Sequence, residues 1–172
     1  MRNVILVLRV IHIFSGVFWV GFSFFNVSFM QPAIAATGAE GQKLMSYLTQ
    51  KTRLLATVYV TATLTMLSGV TMLWILSGLK LSFLQSGYGL VLTLGGTAGF
   101  IAWVIGFFVI RGILDRMSAL GREIGKSGGP PSPEQAGAMG TLVAQLRTTG
   151  RVGVIFMVVA LLGMSAAQYV PF

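Results

Sequence analysis

The chain contains no cysteine, which excludes disulfides, thiolate metal sites and a cysteine nucleophile and leaves the redox compartment open. Acidic residues are nearly missing. Asp and Glu total 4 against 12 Lys and Arg, for a net charge of +8, and there is a single histidine, His12. No paired carboxylate, Ser-His-Asp set or cluster of two histidines is visible, so enzyme chemistry would have to come from a bound cofactor. Charge of either sign is scarce: 9% of residues are charged, where a soluble domain carries roughly 25%.

What fills the space is apolar. Hydrophobic residues make up 55% of the 172, and the mean hydropathy is +0.83. A helix needs about 20 apolar residues to cross the hydrocarbon core of a bilayer. Four such runs fit, at about 4–30, 54–76, 88–110 and 152–169. They predict an all-α chain, a four-helix transmembrane bundle forming one integral membrane domain over 1–172. The basic residues sit at the ends of these runs, where they set topology and meet anionic lipid head groups. That placement argues against nucleic acid as a partner and for the lipid bilayer. The N-terminal run continues to Met30 with Arg9 inside it and no small-x-small cleavage site, so it reads as a retained span.

Between the runs lie three connections. Gln31 and Pro32 are expected to end the first span, and residues 40–52 to form a short surface helix. A short loop, Leu79 to Gly87, joins spans two and three. Residues 111–126 read as a basic amphipathic helix leaving the membrane, followed by a Gly/Pro/Ser hinge and a helical stretch over 134–150. The segment GREIGKS has one residue too few between its glycine and GK for a phosphate loop, and no strand precedes it. Tyr169 and Pro171 are expected to close the chain at an interface. Lys43, Lys51, Arg53, Arg111, Arg116, Arg122, Lys126, Arg147 and Arg151 lie in loops 31–53 and 111–151, against Arg2 and Lys80 on the other side. The positive-inside rule then puts those loops in the cytoplasm and both termini outside. The expected location is the bacterial inner (plasma) membrane.

Inside the first run, Arg9, His12, Gly16, Trp19, Ser23 and Asn26 recur at steps of three and four, which places them on one helix face. The spacing is also that of ordinary helix packing. An ionisable group within a span is costly and marks function by default, and His12 sits roughly 12 Å along the helix. Every acid falls in a cytoplasmic loop, so Arg9 must reach lipid phosphate or pair with a non-protein anion. Haem b meets both needs, with iron for a neutral imidazole and propionates for a guanidinium. Candidate cofactor contacts are His12, Arg9, Trp19, Gly95 and Gly99. Candidate metal ligands are His12, Met72 and Met164, with Gln168 at similar depth. Gly95 and Gly99 also form a small-xxx-small pair for close helix packing, the plainer reading. Thr57, Thr61, Thr65 and Ser68 share a face of span two, either as helix glue or as the lining of a polar cavity.

The run LRVIHIFSGVFWVGFSFF resembles the first span of a superfamily of small membrane proteins. It includes copper-resistance D-like (CopD-like) proteins, HemJ-like protoporphyrinogen oxidases, the membrane domain of PuuD-type urate oxidases and the uncharacterised group DUF2269. Their shared pattern is a His followed seven residues later by Trp and then Gly, here His12, Trp19 and Gly21. The tail QLRTTGRVGVIFMVVALLGMSAAQYV is similar to the last span of the DUF2269 group. The resemblance implies a haem ligand at His12. It also implies a lysine in a later span for the HemJ activity, and no span here contains one. For copper handling it implies Met and His ligands, yet Met30, Met66, Met72, Met157 and Met164 form no MxxxM series. The leading expectation is a haem-b membrane protein in redox or electron transfer. A small permease or copper-handling protein is the alternative, as is a non-catalytic subunit whose partner is a second copy or a membrane complex.

Overall fold

The computed structural model describes residues 2–170, and Pro171 lies outside them. The described chain is helical almost throughout, in the order α1 (Arg2–Phe25), α2 (Gln31–Thr37), α3 (Ala39–Lys51), α4 (Leu54–Ser77), α5 (Leu81–Gln85), α6 (Gly87–Val104), α7 (Arg111–Ser127) and α8 (Pro133–Ala166). Four helical stretches are long and apolar enough to cross a membrane: Arg2–Thr37, Leu54–Ser77, Gly87–Ser127 and Pro133–Tyr169. Without water to satisfy a free peptide group, a spanning segment must bond its own backbone, and helix is the local solution. The outward faces are correspondingly greasy: Phe14 is 81% exposed, Leu162 65% and Leu67 62%.

The helices outrun the expected span boundaries. The first does not stop at Gln31 and Pro32. A π-helical turn over Asn26–Met30 is closed by the Gln31 N–H on the Asn26 carbonyl, and α2 continues to Thr37. Proline in a regular helix forfeits a hydrogen bond and collides with the carbonyl four residues back. The wider π register just before Pro32 lets the axis continue. A second π turn, Ile105–Ile110, carries α6 into α7 in the same way. The fourth span and the stretch before it form one helix, begun by a capping box in which Ser132 Oγ accepts from Gln135 N and Gln135 Oε1 accepts from Ser132 N. At 1.5 Å per residue these three stretches far exceed the roughly 30 Å hydrocarbon core.

All three overhang the same end of the bundle, opposite the chain termini. That loop end carries α2, α3, α7 and the first half of α8. Arg111 marks its edge, with the guanidinium 5.9 Å from the Tyr59 ring centroid and 5.8 Å from that of Phe107.

Two antiparallel hairpins make the bundle. The contact between α1 and α4, and that between α6 and α8, are each far more extensive than any contact between the hairpins. The α6/α8 seam is built on absent side chains. A Cβ on Gly95 would stand 3.0 Å from Met164 N, and one on Gly163 would stand 2.9 Å from Gly95 Cα. The α1/α4 seam is polar: Thr65 Oγ1 lies 2.9 Å from Ser15 Oγ, and both residues are buried. Thr57, Thr61, Thr65 and Ser68 each also donate to a carbonyl one turn back, as helix glue in lipid does. Between the hairpins, Trp19, Ala62, Ala102 and Met157 form a small buried cluster.

Gly163→Val is therefore expected to lower the thermal stability of the detergent-solubilised protein by about 1–3 kcal/mol through overpacking. Gly121→Ala, on α7 with nothing within 4 Å of the added carbon, is expected to hold or raise it. Circular-dichroism melts of the two variants check the seam.

Candidate functional site

A cavity of 470 Å³ lies in the half of the bundle nearer the termini, between the two hairpins and walled by α1, α4, α6 and α8. Its size falls within the roughly 300–1,000 Å³ of sites that hold small molecules and cofactors. Trp19 and Met157 line its inner boundary, and Arg9 and Gln168 line it toward the termini. The rest is mostly aliphatic, with the glycines Gly16, Gly69, Gly96 and Gly99 flattening the wall.

His12 is the polar centre of this cavity, and its orientation is fixed from behind. Nδ1 lies 2.8 Å from the backbone carbonyl of Thr65 and 3.4 Å from Ser68 Oγ. A carbonyl oxygen only accepts, so Nδ1 carries the hydrogen and, in the neutral ring, Nε2 holds the lone pair. Among the described residues no group hydrogen-bonds Nε2. Metal-ligating histidines commonly donate their other ring N–H to a backbone carbonyl in this way, as hydrogen-bonded structural histidines also do.

The ring can lie so close to α4 only because residue 69 is glycine. A Cβ there would meet Cε1 at 2.8 Å and Nδ1 at 3.1 Å. Spacing within span one gave no hint of Gly69, which belongs to the facing helix. The available signal was its place one residue after Ser68 and four after Thr65 on the hydroxyl face of span two.

Arg9 stands one turn nearer the chain start, exposed, with no acidic partner among the described residues. Trp19, 6% exposed, Gly99, Met72 and Met164 all line the cavity with it. Gly95 does not. Its open face is taken up by the backbone of α8, so the small-xxx-small pair is divided, with Gly95 in the helix seam and Gly99 at the cavity. Of the hydroxyl face on α4, only Thr65 reaches this cavity. Among the described residues no group of three or more His, Cys, Asp or Glu side chains could hold a bare metal ion. The soft and imidazole donors lining the cavity are His12 and the thioethers of Met66, Met72, Met157 and Met164.

A second cavity, of 130 Å³, lies toward the loop end and shares Trp19 and Met157 with the first. Sequence spacing brought Ser23 and Asn26 to its wall but did not reveal Gln31 or Trp103, which join them from beyond the expected span end and from span three.

Compared with known proteins, the chain matches no family model, no curated protein and no solved structure.

The tautomer and the role of Gly69 are open to direct measurement, because His12 is the only histidine and gives one set of imidazole resonances. ¹⁵N NMR of histidine-labelled protein is expected to show, for the neutral ring, a protonated Nδ1 and an unprotonated Nε2. Gly69→Val is expected to abolish that pattern by pushing the ring off the Thr65 carbonyl, while Gly21→Ala, which adds a carbon with nothing within 4 Å, leaves it unchanged.

Proposed function

We propose that this is an integral membrane protein that binds haem b in the cavity nearer its termini and serves in redox or electron transfer. One observation carries the reading. His12 donates Nδ1–H to the Thr65 carbonyl and, among the described residues, leaves Nε2 without a partner at a 470 Å³ apolar cavity. The residues present fit such a group. His12 Nε2 would supply a nitrogen ligand to the iron, and the Thr65 carbonyl, accepting from Nδ1–H, would raise its basicity. Arg9, exposed at the cavity and with no acidic partner among the described residues, would supply the charge for a propionate. The glycines of α4 and α6 leave room at the cavity wall for a flat ring, and Met72 or Met164 would offer a second, soft donor. Bound haem would supply a one-electron centre whose potential its ligands and the apolar walls would tune. The chain's own work is to hold the imidazole, neutralise the carboxylate edge and exclude water.

In this reading the termini face outward and the basic loop end faces the cytoplasm of a bacterial inner membrane. There Arg111 and the basic face of α7 meet anionic head groups.

Protein produced with ample haem is expected to purify with a Soret band. His12→Ala is expected to remove it, and Arg9→Gln to lower haem retention severalfold with the helical spectrum intact. A colourless wild-type protein overturns the proposal.

A second reading, a small permease, has its own support: two cavities stacked along one bundle and separated by the buried Trp19–Met157 layer. It predicts solute flux into proteoliposomes that rises when Trp19 is cut to Ala, with no Soret band. Haem-replete protein that passes no solute removes it.

A further inference from the structure

The seam between the hairpins is poorly joined at the loop end. Asn26 Oδ1, Gln31 Oε1 and Trp103 Nε1 are buried and, among the described residues, have no hydrogen-bond partner, and none of the three is open to water. Asn26 and Gln31 belong to the first hairpin and Trp103 to the second, and all three residues stand around the smaller cavity. Among the described residues no hydrogen bond or ion pair joins the two hairpins at this end. Packing crosses the seam instead. Val27 lies against Gly150, and the Tyr59 ring meets Phe107 edge-on at 5.7 Å, with Arg111 over both rings.

Buried polar groups in proteins are paired in the great majority of cases. Leaving one unpaired shifts the equilibrium against that state by about ten- to a hundredfold. Three in one seam are a standing bias toward an arrangement in which they meet water, and parting of the hairpins supplies one. The fold is jointed at the same level. Each hairpin has a π turn there: Asn26 opens the first, and the second begins at Ile105, just after Trp103. Such turns are where long helices bend, and they gather at functional sites.

We propose that the loop end of this seam is a water gate. The hairpins part there by bending at their π turns, and water reaches the smaller cavity and the three stranded atoms. Closed, the seam leaves those atoms unpaired. Open, it hydrates them, so part of the cost of separating the packed surfaces is offset. The gate gives the smaller cavity an opening at the basic end of the molecule. It rests on neither reading of the histidine cavity, which lies beyond the Trp19–Met157 layer.

The indole hydrogen of Trp103 counts the openings, because it exchanges with deuterium only when water reaches Nε1. In the full chain in detergent, labelled with ¹⁵N-tryptophan, Trp103→Phe identifies its signal among the 3 tryptophans. The chain has no cysteine, so a reversible lock can be added without interference. A Cβ on Gly150 would stand 3.1 Å from Val27 Cγ2, close enough for a disulfide in the double variant Val27→Cys, Gly150→Cys. Oxidation of that variant is expected to slow Trp103 exchange at least about tenfold, and reduction to restore it. Asn26→Leu and Gln31→Met each remove one stranded carbonyl. Each is expected to slow exchange by about tenfold and to raise the melting temperature, the reverse of what losing a needed polar contact does. The proposal is overturned if the oxidised lock leaves exchange unchanged, or if both apolar variants exchange no slower than wild type or fail to fold. Should the disulfide not form, the two apolar variants decide alone.

Discussion

The site hangs on one hydrogen bond between helices, from His12 Nδ1 to the Thr65 carbonyl. In a membrane such a bond contributes about 0.6 kcal/mol on average, which is too little to hold two helices together. Its effect is directional. It selects one tautomer of a ring that lines the cavity and fixes that ring at a depth set by the α1/α4 register. The supporting features follow from it. Gly69 makes room for the ring, Ser68 adds a second contact at 3.4 Å, and the Ser15–Thr65 hydroxyl pair one turn further along keeps α1 and α4 in step. A mutation that leaves the helices paired but shifts this register would remove the site without unfolding the protein.

The packing around it is economical. Lipid tails are as apolar as leucine, so burying large side chains between helices yields little, and close approach of backbones must supply the attraction. The fully enclosed residues are accordingly small, apart from a few such as Trp19, Met157 and Ile113. Glycine meets glycine at Gly95 and Gly163, while hydroxyls satisfy themselves on their own helix before they touch a neighbour. Trp19 and Met157 are the exceptions that fill space, and they do so at the single level where the two cavities would otherwise merge.

The cavity-lining face of α1 was legible from steps of three and four alone, because a helix has one geometry and Arg9, His12 and Trp19 are conspicuous among Val, Ile and Phe. The four spans were legible for the same reason. Two kinds of feature were not. Helix ends were misplaced at Pro32 and before Val152, because a π turn absorbs the proline and a polar run can prolong a helix beyond the membrane without any change of period. Partners across helices were also hidden. Nothing in span one names Gly69, nothing in the GxxxG spacing says that Gly95 packs while Gly99 lines a cavity, and Trp103 reads as one more aromatic until Asn26 and Gln31 appear beside it. One-dimensional periodicity gives a residue's face. It does not give what the face meets.

The two hairpins touch each other much less than their own members do, and both cavities lie in the seam between them. Whatever occupies either cavity contacts both hairpins at once, and so binds the assembled bundle better than the separated pair. By mass action an occupant then stabilises the assembly by an amount that grows with the logarithm of its concentration over its dissociation constant. The small residues that leave the cavities open also leave the seam thin. Any occupant of either cavity would add to the cohesion of a bundle with this layout, because α1, α4, α6 and α8 each line both cavities.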